Sequence, residues 1–283
     1  MFRTLNPIVV SGMLGVSDLK LAKASYDADC VPSLITGNYK NIKELAYDLD
    51  EYSKYSNNSE VVLSITIDYL KNSPLVSLVD YFNIRYIELL NKFERSEILE
   101  SLSEKTTILQ KTITFPTSEF YETNKDIISG IVIKSDVAAS RIGIPNLANT
   151  LRLERKNYPE WVFIASGGIN NHSDIKNYLS AGCSAVSIGT LFALSKESLL
   201  SEEVKLKLIK SSYSDVQALS NNRGGKQNMI TFSEVKDIDS NFTSHLLSGI
   251  RNTNEGAVFM GKSIDTVTEI LSVRQIVERL THD

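Results

Sequence analysis

Two junctions between an apolar run and a glycine turn are the residues best suited to chemistry. Ile164-Ala165-Ser166-Gly167-Gly168-Ile169 leads an apolar stretch straight into a glycine pair, and Ala185-Val186-Ser187-Ile188-Gly189-Thr190-Leu191-Phe192 repeats the arrangement one helical segment later. Glycine lets backbone N–H groups approach an oxyanion without a Cβ in the way, and a following helix N-terminus adds favourable partial positive charge. Two such turns one βα unit apart make a phosphate cradle, as in the loops after the seventh and eighth strands of (β/α)₈ barrels. The competing reading is a pair of tight turns with no ligand.

Other residues could act beside that cradle. Lys134 places a charge at the end of an apolar strand-like run, and Lys111 does the same one unit earlier. Each reads either as a rim contact to an anionic ligand or as a solvated lysine. The three histidines are His172, just after the glycine pair, His245, beside leucines in a polar segment, and His282, at the C-terminus. No Ser/His/Asp arrangement, Walker loop or zinc spacing occurs. Cys30 and Cys183 have neither Cys-x-x-Cys nor Cys/His ligand spacing, and read as two buried thiols.

These residues need a scaffold, and hydrophobic periodicity supplies one. Strand-like runs occupy Pro7–Met13, Cys30–Thr36, Val61–Ile67, Arg85–Leu90, Thr106–Ile113, Gly130–Ser135, Trp161–Ser166 and Ala185–Ile188. Helical patterns separate them at Ser17–Ala28, Asn41–Tyr55, Leu75–Phe82, Arg95–Glu104, Phe120–Asn124, Asn146–Lys156 and Ser173–Ala181, with Lys196–Lys210 after the last strand. Ser17 is the N-cap expected for the first helix, and Ser173-Asp174 opens the one after the glycine pair. Eight alternations predict an α/β fold closed as a (β/α)₈ TIM barrel, residues 1–195, with a C-terminal helical pattern over 263–283. Residues 211–256, rich in Ser, Asn, Asp and Gly, predict a small mixed or helical lobe acting as a lid over the barrel mouth.

Composition sets the outer bounds. With 30 Lys and Arg against 34 Asp and Glu, and a net charge of -4, the chain has no basic patch for nucleic acid or an anionic membrane. It shows no signal-peptide pattern and no run long enough to span a bilayer, which predicts a cytoplasmic protein.

Several segments resemble one family colinearly over nearly the whole chain: Asn6-Pro7-Ile8-Val9-Val10-Ser11-Gly12-Met13, Ile164–Ile169, Ala181-Gly182 with Ala185–Phe192 and Glu197-Ser198, and Phe259-Met260-Gly261-Lys262 with Glu269–Leu271 and Val277–Leu280. They look like the nitronate monooxygenase (2-nitropropane dioxygenase-like) family, FMN-dependent TIM barrels that include enoyl reductases of fatty acid and polyketide synthesis. Asn222–Gln227 is similar to a glycine- and arginine-bearing segment of that family's lobe. The resemblance implies an FMN flavoprotein in which Ser11, Gly12 and Met13 set backbone against the flavin ring, and Gly167, Gly168, Gly189 and Thr190 hold its phosphate. Ser64 stands where the family usually has an asparagine, and Lys111 and Lys134 become rim contacts to flavin or an anionic substrate.

One segment departs from the family pattern. Lys134-Ser135-Asp136-Val137-Ala138-Ala139-Ser140-Arg141 keeps an acid at Asp136 but has alanines for a glycine pair, and Ser140 stands where the family carries its catalytic histidine. A serine hydroxyl has too high a pKa to accept a substrate proton near neutrality. The expectation is therefore an oxidoreductase working more as a reductase than as a nitronate monooxygenase, with Ser140, Lys134 or His245 handling the proton. Its partners are a small-molecule substrate and either NAD(P)H or an acyl carrier-bound substrate. The alternatives are a non-catalytic barrel that binds a ligand or a partner protein, and a phosphometabolite isomerase or lyase using Lys111 with Asp136.

Overall fold

The computed structural model describes residues 2–56, 60–65, 74–90, 93–220, 225–232, 246, 248–251 and 255–282. Eight parallel strands form one sheet: β1 Ile8–Val10, β2 Ser33–Ile35, β3 Val62–Ile65, β4 Tyr86–Leu89, β5 Thr107–Thr112, β6 Gly130–Lys134, β8 Val162–Ser166 and β9 Ala185–Ile188. The order is β1-β9-β8-β6-β5-β4-β3-β2, and a parallel bridge between Val9 and Val31, just before β2, closes it into a barrel. Each lies within a strand run expected from the sequence, and the fold is the expected TIM barrel.

The barrel interior is built in tiers. Val9, Val31, Val62, Tyr86, Leu109, Val132, Ile164 and Ala185 pack together as one cluster, one residue from each strand or its lead-in. Side chains in a strand repeat every second residue on one face, so the next inward position on each strand lies two residues on. Those positions are Ser11, Ser33, Ser64, Glu88, Lys111, Lys134, Ser166 and Ser187, all polar and all buried. An apolar tier thus seals the barrel, and a polar tier sits above it toward the strands' C-terminal ends.

Helices cover the outside, and the caps explain where they start. The first, Leu19–Asp27, is capped by Asp18, whose side chain accepts from the Leu21 amide, and not by Ser17. The Ser17 hydroxyl instead accepts from the Met13 amide and donates to the Ser11 carbonyl, pinning the loop after β1. After β9 the chain makes a short helix Thr190–Ala193 and then Glu202–Leu208, where a single helix over Lys196–Lys210 was expected.

The C-terminal segment also differs from expectation. Ser263–Leu280 is a 3₁₀ turn at Lys262–Thr266, an extended stretch, and a helix only at Val273–Thr281. The β-branched run Thr266-Val267-Thr268 disfavours helix, and Ser272 with Gln275 forms a capping box that starts one. This helix buries Val273, Ile276, Val277 and Leu280 against the flank of β1 and β9, at helical spacing.

A second, antiparallel sheet rides over the barrel mouth. β10 Gln217–Ser220, β11 Lys226–Thr231 and β12 Ala257–Val258 pair in order, and β11 also pairs with β7, the two residues Ser140–Arg141. Removing the cap of the C-terminal helix is expected to leave the fold intact but weaken it: Ser272→Ala should cost about 1 kcal/mol in urea unfolding, and Ser272→Asp should restore most of it.

Candidate active site

The polar tier carries a buried ion pair. Lys111 Nζ donates to Glu88 Oε1 at 3.1 Å, and Ser64 Oγ donates to Glu88 Oε2 at 2.8 Å, so both carboxylate oxygens are engaged inside the barrel. Across the ring the Ser11 and Ser187 hydroxyls share a hydrogen bond of 2.5 Å. Glu88 was missed in the sequence, where it reads as one acid in a short strand. Its signal is the apolar-to-polar step two residues apart at Tyr86-x-Glu88, shared with Leu109-x-Lys111 and Val132-x-Lys134.

Lys134 has no such partner. It is buried, and its Nζ donates to the Ala139 carbonyl at 2.5 Å. Among the described residues no carboxylate forms an ion pair with it. Burial, followed by the charges of Lys111 and Arg141, pushes its amine well below the ordinary lysine range.

Above this tier lies a cavity of about 230 Å³, lined by Ser11, Gly12, Met13, Lys111, Lys134, Ser140, Gly167, Gly168, Gly189 and Thr190 among others. One ordered water needs only about 15 Å³, so the space takes a molecule. The structure thus brings together ten of the twelve residues expected at the site. Ser64 does not line the cavity. It lies beneath Gly12, where a Cβ would sit 2.7 Å from the Ser64 hydroxyl, and it orients Glu88. His245 lies outside the described residues, although its neighbour Leu246 lines the cavity. His172 is the first residue of the helix His172–Ser180, and His282 is exposed. Ser166 and Ser187 line the cavity and were not singled out in the sequence. Lys111 pairs with Glu88 and not with Asp136, which leaves the isomerase or lyase alternative without its acid–lysine pair.

The cradle glycines divide into two kinds. Gly167 and Gly168 have φ of +97° and +71°, and a Cβ on them would come within 2.3 Å of Ala138 and 2.6 Å of Val137. They are required by the packing of the neighbouring loop. Gly189 has an ordinary φ of -110°, and a Cβ there would meet only Met13 Sδ at 3.5 Å and Ser11 Cβ at 3.8 Å. A Cβ at 189 meets no described atom closer than 3.5 Å, and its absence leaves room in the cavity.

The helix termini also differ. The helix His172–Ser180 begins with its own caps: Asn171 accepts from the Asp174 amide, and Asp174 accepts from the Asn170 amide. Its N-terminus is therefore already supplied with an acid. The short helix Thr190–Ala193 follows Gly189 directly with no side-chain cap. The Thr190 hydroxyl is committed elsewhere, accepting from the Gly261 amide at 3.1 Å.

Ser140 and Arg141 enter the cavity from β7. Ser140 has φ of +60°, a left-handed conformation that costs a non-glycine residue about 1 kcal/mol or more. The ladder to β11 holds it there, and its hydroxyl donates to Gln227 Oε1 at 3.3 Å.

A closed barrel of eight parallel strands with helices outside it is a TIM barrel, with glycine turns after its last two strands. Residues 161–283, which include both cradle turns, match the nitronate monooxygenase family model. Similar solved structures are a point mutant of FabK from Thermotoga maritima, with 19% identity and a TM-score of 0.81 over 99% of this chain and 92% of that one. Nitroalkane oxidase from Streptomyces ansochromogenes follows at 16% identity and TM-score 0.78, over 98% and 95%. The enoyl reductase domain of MlnA from Bacillus amyloliquefaciens, of the macrolactin biosynthesis cluster, gives 15% and 0.65 over 81% and 64%. No curated protein sequence matches the chain. No described helix is long and apolar enough to cross a membrane.

Two outcomes follow from the buried charges. Breaking the ion pair from one side leaves a charge uncompensated, so Glu88→Gln and Lys111→Met should each cost about 3–5 kcal/mol in urea unfolding. The double variant should cost less than the sum, and additive losses would show that the two charges are not coupled. For Lys134, the unfolded chain binds the proton with the ordinary value of 10.5 and the folded chain binds it more weakly. Between the lowered value and 10.5 the unfolded state holds more protons, so stability rises with pH. Lys134→Met removes that dependence. Its stability relative to the parent should therefore improve as pH falls from about 10 toward about 7.

Proposed function

We propose that this chain is an FMN-dependent oxidoreductase of the nitronate monooxygenase and enoyl reductase type, acting on a small-molecule substrate. The observation that carries the reading is Gly189: a Cβ there would meet nothing closer than 3.5 Å, and the space beside it opens on uncapped backbone amides at the C-terminal end of a barrel strand. A phosphate group fits that place. The family match over residues 161–283 supports the same cofactor.

In this reading the amides of Gly167, Gly168, Gly189 and Thr190 hold the FMN phosphate, and the loop Ser11-Gly12-Met13, pinned by Ser17, lies against the ring. Lys111, held in place by Glu88, offers its remaining N–H groups to the ring's polar edge. FMN would supply two-electron chemistry, accepting or delivering a hydride.

Lys134 and Ser140 differ in what they can do with a proton. The Lys134 amine, buried and held below its usual range, gives up its proton at Nζ more readily than an ordinary lysine. The Ser140 hydroxyl cannot act as a base near neutrality, so its part is to orient a substrate oxygen. Replacement of a catalytic histidine by Ser140 is part of this proposal, as are reductase activity over nitronate oxidation, NAD(P)H or an acyl carrier-bound substrate as partner, and a cytoplasmic setting.

The test begins with an absorbance spectrum of the purified protein and the mass of whatever denaturation releases; flavin bands and the mass of FMN are expected. Gly189→Ala should leave the urea midpoint near that of the parent and weaken FMN binding about tenfold or more. Gly167→Ala should lose stability as well, because its Cβ meets Ala138. A colourless protein that takes up no added FMN overturns the reading in favour of a barrel that binds another ligand. Lys134→Met should lower the NAD(P)H-driven turnover about 100-fold or more while FMN content holds.

A further inference from the structure

Three basic side chains face the cavity or its floor, Lys111, Lys134 and Arg141, and one carboxylate, Glu88, stands among them. Glu88 is taken by Lys111 and Ser64. Arg141 therefore has no acid of its own. Its Nη2 donates to the Leu90 carbonyl at 2.7 Å, and among the described residues no carboxylate pairs with it. A guanidinium cannot resolve such a position by losing its proton, as an amine can.

Its place in the ring matters as much as its charge. Leu90 follows β4 directly, and β4 is four strands from β9 in the closed order β9-β8-β6-β5-β4 of an eight-stranded barrel. Arg141 thus reaches the side of the mouth opposite Gly189. An anion held at the glycine cradle leaves this cation unanswered, and the two mark separate anionic subsites. The arginine is also held firmly: Arg141 pairs with Gln227 across the β7–β11 ladder, and the strained Ser140 beside it fixes the turn. Leu246, Ile250, Val258 and Phe259 give the lobe side of the same cavity an apolar wall.

We propose that Arg141 anchors a carboxylate on the substrate, so that the site takes a small organic acid with an apolar tail. A planar guanidinium forks onto a carboxylate through two parallel hydrogen bonds, and in a half-enclosed cavity that contact gives orientation as well as affinity. The inference rests on the proposed oxidoreductase reading for what happens to the acid, but not for its binding.

Isothermal titration of the purified protein with crotonate, with the isosteric crotonamide and with inorganic phosphate tests it, with FMN content read separately from the spectrum. Crotonate is expected to bind and crotonamide to bind at least about tenfold more weakly. Arg141→Gln should remove that preference while FMN content and urea midpoint hold, and Arg141→Lys should retain part of it. No crotonate binding, equal binding of the amide by the parent protein, or an unchanged preference in Arg141→Gln overturns the proposal. Phosphate that binds as well as crotonate and displaces it also overturns it, by assigning the subsite to a phosphate group. Because the parent protein alone distinguishes acid from amide, a variant that fails to fold does not rescue the idea. Loss of FMN with the acid preference intact would sink the cofactor reading and leave this one standing.

Discussion

The buried contact between Lys111 and Glu88 is the constraint around which the mouth of the barrel is arranged. An ion pair with both side chains out of water stands only when each partner's remaining hydrogen-bonding capacity is met. Here Ser64 supplies the second donor to the carboxylate, and Gly12 leaves Ser64 the room to do so. The pair is placed by strand geometry. With an apolar ring filling the barrel one step below, the next inward residue on each strand lands in the same tier, so the charges converge without any loop having to carry them.

The three cations of the cavity meet the cost of burial in three ways. Lys111 pairs with the Glu88 carboxylate. Lys134 sits where the neutral amine is favoured, with a backbone carbonyl as its partner. Arg141 stays charged, half-buried, and is held at a carbonyl on the far side of the ring from the glycine cradle. The arrangement gives the cavity a closed ion pair, a buried amine held at a carbonyl, and a cation with no protein anion among the described residues. The division follows from one acid being shared among three bases.

The barrel was legible in the sequence because each strand is apolar, short and bounded by turn residues, and because helical spacing fills the intervals. The two glycine turns were legible because each follows an apolar strand directly, although the packing of Gly167 and Gly168 on Ala138 and Val137 was not. Glu88, Ser166 and Ser187 were not singled out, since each looks like an ordinary polar residue within its own strand; only the eight strands set side by side show the common step from apolar to polar. The C-terminal helix was read too long because Val267, Ile270 and Leu271 continue an apolar spacing that backbone preferences interrupt. Those side chains still face the molecule, with Val267 and Leu271 packing on the same cluster as the helix. Periodicity reported burial correctly there and conformation incorrectly.

The antiparallel sheet links these features. β7 has only two residues, and its ladder partners on β11 lie far away in the sequence, so no local pattern could announce it. Yet this pairing holds Ser140 in a left-handed conformation and carries Arg141 toward β4. Asn228, the ladder partner of Ser140, also donates to the Ala138 carbonyl, and Ala138 packs on Gly167 of the cradle. The segment 135–141 is therefore held from two sides, by the second sheet at Ser140 and by the cradle at Ala138. A shift of the sheet would move the arginine and the cradle wall together. The glycine turns and Ser140 thus belong to one continuous piece of packing, in which opposite sides of the mouth are set by the same loop.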